Sequence, residues 1–261
     1  MKILFIGDIV GRPGRRAINE FVPSLIAEKK IDMVIANCEN SAAGFGVTKE
    51  IVDELFGNRI DILTSGNHIW NKKEALEFIN EYETLLRPAN YPATAPGTGA
   101  VVFSAGSSEY VAVLNLAGRI FMQPAECPFV TAKKEISALK QKTKIIIVDF
   151  HAEATSEKKA MGWYLDGEVS AVLGTHTHVQ TADEEILPQG TAYISDAGMT
   201  GPFDSVIGVK KETIIERFLT NVPNKFDVAK GDIRLQGVLL DIDAQSGRAN
   251  SIDRISVKVD A

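Results

Sequence analysis

Cysteine is scarce, basic excess is missing and no long apolar run occurs, and each shortage excludes a class of protein. Only Cys38 and Cys127 are present in 261 residues, with no CxxC spacing. Neither a disulfide framework nor a thiolate metal site is expected, which fits a reducing compartment. No apolar stretch approaches the ~20 residues that cross a bilayer. The run from Met1 through Ile6 and Gly7 stops at Asp8, too short for a secretory signal core. Lys and Arg number 28 against 34 Asp and Glu, giving a net charge of -6. That balance argues against a broad nucleic-acid surface. It leaves room for a small phosphorylated substrate, because bound metal supplies positive charge locally. The expectation is a cytoplasmic protein with no membrane partner and no extended nucleic-acid partner.

Hydrophobic residues at 45% and charged residues at 24% describe an ordinary globular chain. The length favours one domain over residues 1–261, with a small insertion around 86–120. Short apolar runs alternate with helical periodicity. Strands are expected over 2–10, 32–38, 60–65, 144–150 and 169–174, and helices over 14–30, 48–59, 72–82 and 156–165. Residues 86–99 hold three prolines and two glycines and read as a long loop. Residues 101–104 and 110–115 read as adjacent antiparallel strands. The tail carries two strands, 233–242 and 252–259, joined through a turn-rich hairpin. The pattern indicates an α/β sandwich with a mixed sheet.

All four histidines fall where an expected strand ends. His68 closes Gly66-Asn67-His68, His151 follows Asp149-Phe150, and His176 and His178 lie in Gly174-Thr175-His176-Thr177-His178. Asp8 and Glu39-Asn40 sit at the ends of the first two strands. The carboxyl ends of strands in such sheets share one rim, so five segments converge there. Neutral imidazole, carboxylate and amide oxygen are metal donors, and without thiolate they suit manganese, iron or zinc. Two ions ~3.5–4 Å apart can generate a hydroxide and clamp phosphoryl oxygens. Singly, each piece has an ordinary reading: Asp8 and Asn67 as caps or turn residues, Glu39 as a surface residue, His151 as a hydrogen-bonding side chain. Arg12, Lys49, Lys72 and Lys73 fit a solvated face, Phe45 and Phe203 fit loop packing, and Cys38 fits the core. The glycine-containing run from Asp196 to Gly201 reads as a turn, or as a loop over the site.

Gly7-Asp8, Gly66-Asn67-His68, His151 and the Gly-Thr-His-Thr-His run stand in the order of calcineurin-like metallophosphoesterases. Asp8-Ile9-Val10-Gly11, the run from Glu39 to Gly46, Arg87-Pro88-Ala89-Asn90-Tyr91-Pro92 and the run from Asp196 to Pro202 resemble the YmdB-like branch of that superfamily. The resemblance covers residues 2 to about 240. It implies a four-layer α/β/β/α metallophosphoesterase sandwich with mixed sheets. It also implies a di-metal phosphodiesterase, iron first with manganese or zinc as alternatives, acting on 2′,3′-cyclic nucleotides such as 2′,3′-cAMP through a metal-activated hydroxide. Carried over by position, Asp8, Glu39, Asn40 and His178 hold one metal, and Glu39, Asn67, His151 and His176 the other. Glu39 bridges, and His68 stands beside the metals as the catalytic residue. Many superfamily members carry Asp-x-His at the first motif, where this chain has Val10; Asn40 takes that place. Two other classes stay open: a cyclic-nucleotide-binding regulatory protein with little turnover, and a phosphomonoesterase. A metal amidohydrolase is disfavoured, because its His-x-His follows the first strand. Homo-oligomerisation, the base preference and the residues contacting the nucleoside stay open.

Overall fold

The structure is a computed structural model describing residues 1–105 and 109–259; residues 106–108, inside the segment read as an insertion, lie outside the described residues. In chain order the elements are β1 (Lys2–Ile6), β2 (Asp8–Ile9), α1 (Gly11–Lys29), β3 (Met33–Asn37), α2 (Lys49–Gly57), β4 (Ile62–Thr64), α3 (Ala75–Phe78), β5 (Ala100–Ser104) and β6 (Tyr110–Ala117). They continue as α4 (Pro128–Leu139), β7 (Ile145–His151), α5 (Thr155–Tyr164), β8 (Ala171–Thr175), β9 (Glu185–Ile186) and β10 (Ala192–Ile194). The last are β11 (Met199–Pro202), α6 (Lys211–Thr220), β12 (Ile233–Ile242) and β13 (Ala249–Lys258).

Successive side chains of a strand point to opposite faces, and β1 shows what that does here. Ile3 and Phe5 enter a core shared with Val113, Ile147 and Leu173 of the other sheet. Leu4 and Ile6 pack instead under Ala17, Ile18 and Val22 of α1 and Val52 of α2. On the far side Leu114, Val148 and Val172 meet Ala132 and Ile136 of α4 and Met161 of α5. Three apolar layers thus separate four structural ones, and the fold is the α/β/β/α sandwich.

One sheet runs β2-β11-β12-β1-β3-β4, with β13 on the other edge of β12; the second runs β5-β6-β7-β8-β10-β9. Strands β1, β3 and β4 are parallel, as are β6, β7, β8 and β10. β2 pairs β11 in parallel, and the remaining partners are antiparallel, including the expected pairing of β5 with β6 and the closing hairpin of β12 with β13.

Two expected elements differ. The strand over 2–10 breaks at Gly7, where a Cβ would lie 2.0 Å from the Gly198 carbonyl oxygen. There the Gly7 N–H donates to Gln236 O (3.0 Å) and the Asp8 N–H to Gly198 O (3.1 Å), passing the chain from β12 to β11. The helix over 72–82 is only α3, flanked by single 3₁₀ turns at Ile69–Asn71 and Ile79–Glu81. Lys72 and Tyr82 adopt extended backbone at its two ends, so the helical stretch is shorter than expected and tightens to 3₁₀ after Phe78.

Candidate metal centre

Parallel strands with right-handed crossovers bring their carboxyl ends to one rim. Asp8 opens β2 after the Gly7 break, Glu39 and Asn40 follow β3, and Asn67 and His68 follow β4. His151 closes β7, and His176 and His178 follow β8. The rim therefore collects residues from both sheets.

The three strand-end imidazoles around the centre are oriented alike. His178 directs Nδ1 to the Ile207 carbonyl at 2.9 Å, so its N–H is used there and Nε2 faces Asp8 Oδ1 at 3.9 Å with a lone pair. His176 places Nε2 3.1 Å from Glu153 Oε2 and turns Nδ1 inward. The Thr175 hydroxyl donates to Asp149 Oδ1 (2.7 Å), so its oxygen accepts from His151 Nδ1–H at 2.9 Å, leaving Nε2 to face the centre. Each ring holds one nitrogen outward and turns the other inward, the arrangement in which an outer hydrogen bond fixes a metal-ligating tautomer once a cation displaces any inward proton.

The inward atoms crowd. His151 Nε2 lies 3.0 Å from His176 Nδ1, 2.9 Å from Glu39 Oε1 and 3.1 Å from Asn67 Oδ1. One nitrogen cannot hydrogen-bond to all three. Donors ~2.1 Å from a common ion and at right angles to one another would sit about 3 Å apart. Glu39, His151 and His176 offer donor atoms all within 4.8 Å of one another. Asp8 Oδ1, Glu39 Oε1 and Asn40 Oδ1 are buried without an aligned hydrogen-bond partner among the described residues. Buried polar atoms are satisfied almost everywhere in proteins. Their concentration here, beside three inward nitrogens, fits a pair of cations. Asn40 is steered by its own amide, which donates to Gly44 O at 2.9 Å. The His68 backbone N–H donates to Glu39 Oε2 at 2.9 Å, and its ring meets Phe45 edge-on at 4.8 Å.

Charge follows the same logic. Burial opposes ionisation of Glu39, yet His151, with help from His68, holds its carboxyl down at about 2. Burial likewise opposes a charged His151, but Glu39, Asp8 and Asp149 push its pKa up to about 9. Burial, reinforced by the neighbouring His151, depresses His176 to about 3. Burial raises Asp8 against the pull of His178 and His151. A proton on His151 thus does part of what a dication would do. Stripping the metals by chelation leaves these groups to set the pH dependence. The depressed Glu39 contributes stability above its unfolded value of 4.5, lost as pH falls toward about 2. The raised His151 contributes below its unfolded value of 6.5, lost as pH rises through about 9. The stripped protein should therefore lose Tm as pH rises from about 6.5 toward 9. The loaded protein should not share that alkaline loss, because metal competes with the proton. Calorimetry across pH, with and without metal, checks both.

The backbone of the His-x-His run is strained: His176 and His178 have φ of 99° and 64°. Such conformations cost ~1–3 kcal/mol each unless neighbours enforce them. Asp196 is the enforcer. Its Oδ2 accepts from Thr177 N–H (3.0 Å), the Thr177 hydroxyl (2.8 Å) and Lys158 Nζ (2.8 Å), and its Oδ1 accepts from Gly198 N–H (2.9 Å). Lys158 and Asp196 are both essentially inaccessible. Asp196→Asn should weaken metal binding by about 10–100-fold. It should also destabilise the fold by about 3–5 kcal/mol, since Lys158 stays buried without its partner. Adding Lys158→Met should recover stability but not affinity, read by denaturant melts and chelator competition.

The structure brings Asp8, Glu39, Asn40, Asn67, His68, His151, His176 and His178 together around this centre. Sequence reasoning misses the layer behind them. Asp149 lies two residues before His151, on the same strand face, and a period-2 reading finds it. Asp196 reads in the sequence as part of a turn or covering loop and opens a run that resembles the family, with no role of its own, and nothing in the α5 sequence marks Lys158 as buried. Gly66 is also structural: a Cβ there would fall 2.1 Å from the His151 ring.

A family model described as YmdB-like protein matches residues 4–255. The chain belongs to the YmdB-like family. Within that family it is 51% identical over 260 residues to a 2′,3′-cyclic-nucleotide 2′-phosphodiesterase of Bacillus subtilis, covering 100% of this chain and 98% of the other. A crystal structure of a hypothetical protein from Thermus thermophilus superposes with a TM-score of 0.92 at 40% identity, covering 99% of each chain. A crystal structure titled as a novel phosphatase, from Mycoplasma pneumoniae, gives 0.93 at 35% identity, covering 99% of this chain and 93% of that one. The YmdB-like fold thus accounts for nearly the whole length, and this metallophosphoesterase-like family implies divalent metal ions.

Proposed function

We propose that the chain is a di-metal phosphodiesterase that opens 2′,3′-cyclic nucleotides at the 2′ bond. Asp8, Glu39, Asn40 and His178 hold one ion and Glu39, Asn67, His151 and His176 the other, with the Glu39 carboxylate shared. Supporting this is one arrangement: three imidazoles, each held outward through one nitrogen, turn the other toward buried oxygens without an aligned hydrogen-bond partner among the described residues. When bound, such ions supply the Lewis acidity that activates water and draws charge from phosphoryl oxygens. Nitrogen and oxygen donors without thiolate accommodate iron, our first assignment, with manganese or zinc as alternatives. The name of the Bacillus subtilis relative supports the substrate.

The chain's own residues do the rest. A cavity of about 460 Å³ opens over the imidazoles, walled by Phe45, Ile207, Val209, Phe218 and Phe226. That size suits one nucleotide, and its apolar wall excludes water beside the phosphate. His68 borders the same cavity and donates a hydrogen bond to the charged phosphoryl group or a proton to the leaving ribose 2′-oxygen. Glu39 anchors the His68 backbone, so metal position and His68 position are fixed by one carboxylate. Two unpaired cysteines, Cys38 buried and Cys127 partly so, are consistent with a cytoplasmic site of action, which belongs to the same proposal.

The test is hydrolysis of 2′,3′-cAMP by protein reconstituted with iron or manganese, followed by phosphorus NMR. The 3′-monophosphate should accumulate. Tight binding with no product would favour the regulatory binding protein, and faster attack on an aryl monoester would favour the phosphomonoesterase.

A further inference from the structure

Beside the metal cavity lies a larger one of about 1310 Å³; Ala43, Phe45, Phe226, Asp227 and Val228 line both. Its charge is one-sided. Arg12, Arg15, Arg16, Lys72, Lys225 and Lys230 face it against Glu54 and Asp227. Arg15 is matched by Glu54 at 2.8 Å, Arg16 lies 3.7 Å from Glu20, and Asp227 is taken by Lys210 at 3.2 Å. Among the described residues, no carboxylate stands within ion-pair distance of Arg12, Lys72, Lys225 or Lys230. Three chain segments contribute these cations: the start of α1, the turn after β4 and the stretch before β12. A protein of net charge -6 thus concentrates unmatched positive charge in a single concavity. Concave walls focus such a field far more than a convex solvated face does.

The ridge between the two cavities is aromatic. Phe45 and Phe226 stack at 6.3 Å, with the Arg217 guanidinium 4.9 Å from the Phe226 ring. Rings of this kind accept nucleobases without sequence preference, and flanking cations track the phosphate backbone of a single strand.

We propose that this groove holds the upstream nucleotides of a short oligoribonucleotide whose 2′,3′-cyclic phosphate end occupies the metal cavity. The inference rests on the phosphodiesterase reading above. A cyclic phosphate closing the 3′ end of RNA presents the same reacting ring as 2′,3′-cAMP. Beyond it, each added residue brings one phosphodiester charge and one base. Water adds across the P–O2′ bond, leaving a 3′-phosphate and a free 2′-hydroxyl, whether or not a chain is attached. An acidic peptide would meet the cations but would leave the aromatic ridge and the phosphate cavity without a ligand.

The experiment compares a tetraribonucleotide ending in 2′,3′-cyclic phosphate with 2′,3′-cAMP, on the wild-type metal-loaded protein and on Lys225→Glu/Lys230→Glu. A labelled tetraribonucleotide ending in 3′-phosphate reports binding separately by fluorescence anisotropy. At low salt kcat/KM should favour the tetramer by about tenfold or more, and the double variant should erase that advantage while changing 2′,3′-cAMP turnover less than ~2-fold. Each phosphate contact adds about -0.7 to the log–log salt slope, so the variant should flatten tetramer binding by about 1.4. Equal kcat/KM for the two substrates, an equal loss on both in the variant, or equal competition by a glutamate peptide of matched charge would overturn the groove assignment. Salt-dependent tetramer binding that the variant abolishes, with no turnover of either substrate, would uphold the groove and remove the phosphodiesterase reading instead.

Discussion

Glu39→Ala should reduce bound metal from two equivalents to less than one and lower kcat/KM on the order of 10³-fold, about 4 kcal/mol of transition-state stabilisation at ~1.36 kcal/mol per decade. The size follows from position. Glu39 is fully buried, one oxygen lies 2.9 Å from His151 Nε2 and the other accepts the His68 N–H at 2.9 Å. Alanine removes the carboxylate common to both proposed ions and the anchor of His68 at once. No neighbouring carboxylate substitutes: Asp8 already accepts the His176 N–H at 3.1 Å, and Asp149 is held by Asn37 and by the Thr64 and Thr175 hydroxyls behind His151. Elemental analysis beside steady-state kinetics checks both halves. Near-normal metal content with near-normal rate would remove Glu39 from the centre.

His68→Ala should separate the two quantities that Glu39→Ala loses together. Its ring contacts Phe45 and borders the cavity, while the metal-facing atoms come from other residues. Metal content should stay at the wild-type level, and kcat should fall by about 10²–10⁴-fold, the range for a positioned acid or hydrogen-bond donor. A substrate whose leaving group needs no proton, such as a nitrophenyl phosphodiester, discriminates between His68's two possible tasks. A much smaller loss on that substrate assigns the proton; an equal loss assigns phosphoryl stabilisation.

Much of this architecture is legible from residue order, for a definite reason. Apolar strand runs such as those ending at Asp8, Cys38 and Ser65 report strands buried on both faces, and parallel strands so buried place their ends on one rim. Histidines at those ends therefore mark a site before any fold is known. The run over 2–10 could not disclose its break, because what divides it is the approach of Gly198, nearly two hundred residues away. The apolar positions over 72–82 signal a helix, and the structure keeps a shorter one, α3 tightening to 3₁₀ over Ile79–Glu81, between extended Lys72 and Tyr82. In α4 the signal is present, with Pro128 at its first turn and Ala132, Ile136 and Leu139 buried on one face. The layer behind the proposed ligands is hidden more deeply. Lys158 looks like any exposed helical lysine, and only the fold places it against Asp196 inside the protein. The basic groove is unreadable for a related reason: Arg12 and Lys72 read singly as a solvated face, and they become one field only when chain segments from opposite ends of the sequence are folded together.

Two cations sharing the Glu39 carboxylate at the common rim of the two sheets would be visible in a crystal. The deciding measurement is anomalous diffraction from crystals grown with manganese. Two peaks flanking Glu39 are expected, one within bonding distance of Asp8 and His178, the other of His151 and His176. A map with no peak there, or with manganese only at surface carboxylates, would contradict the account.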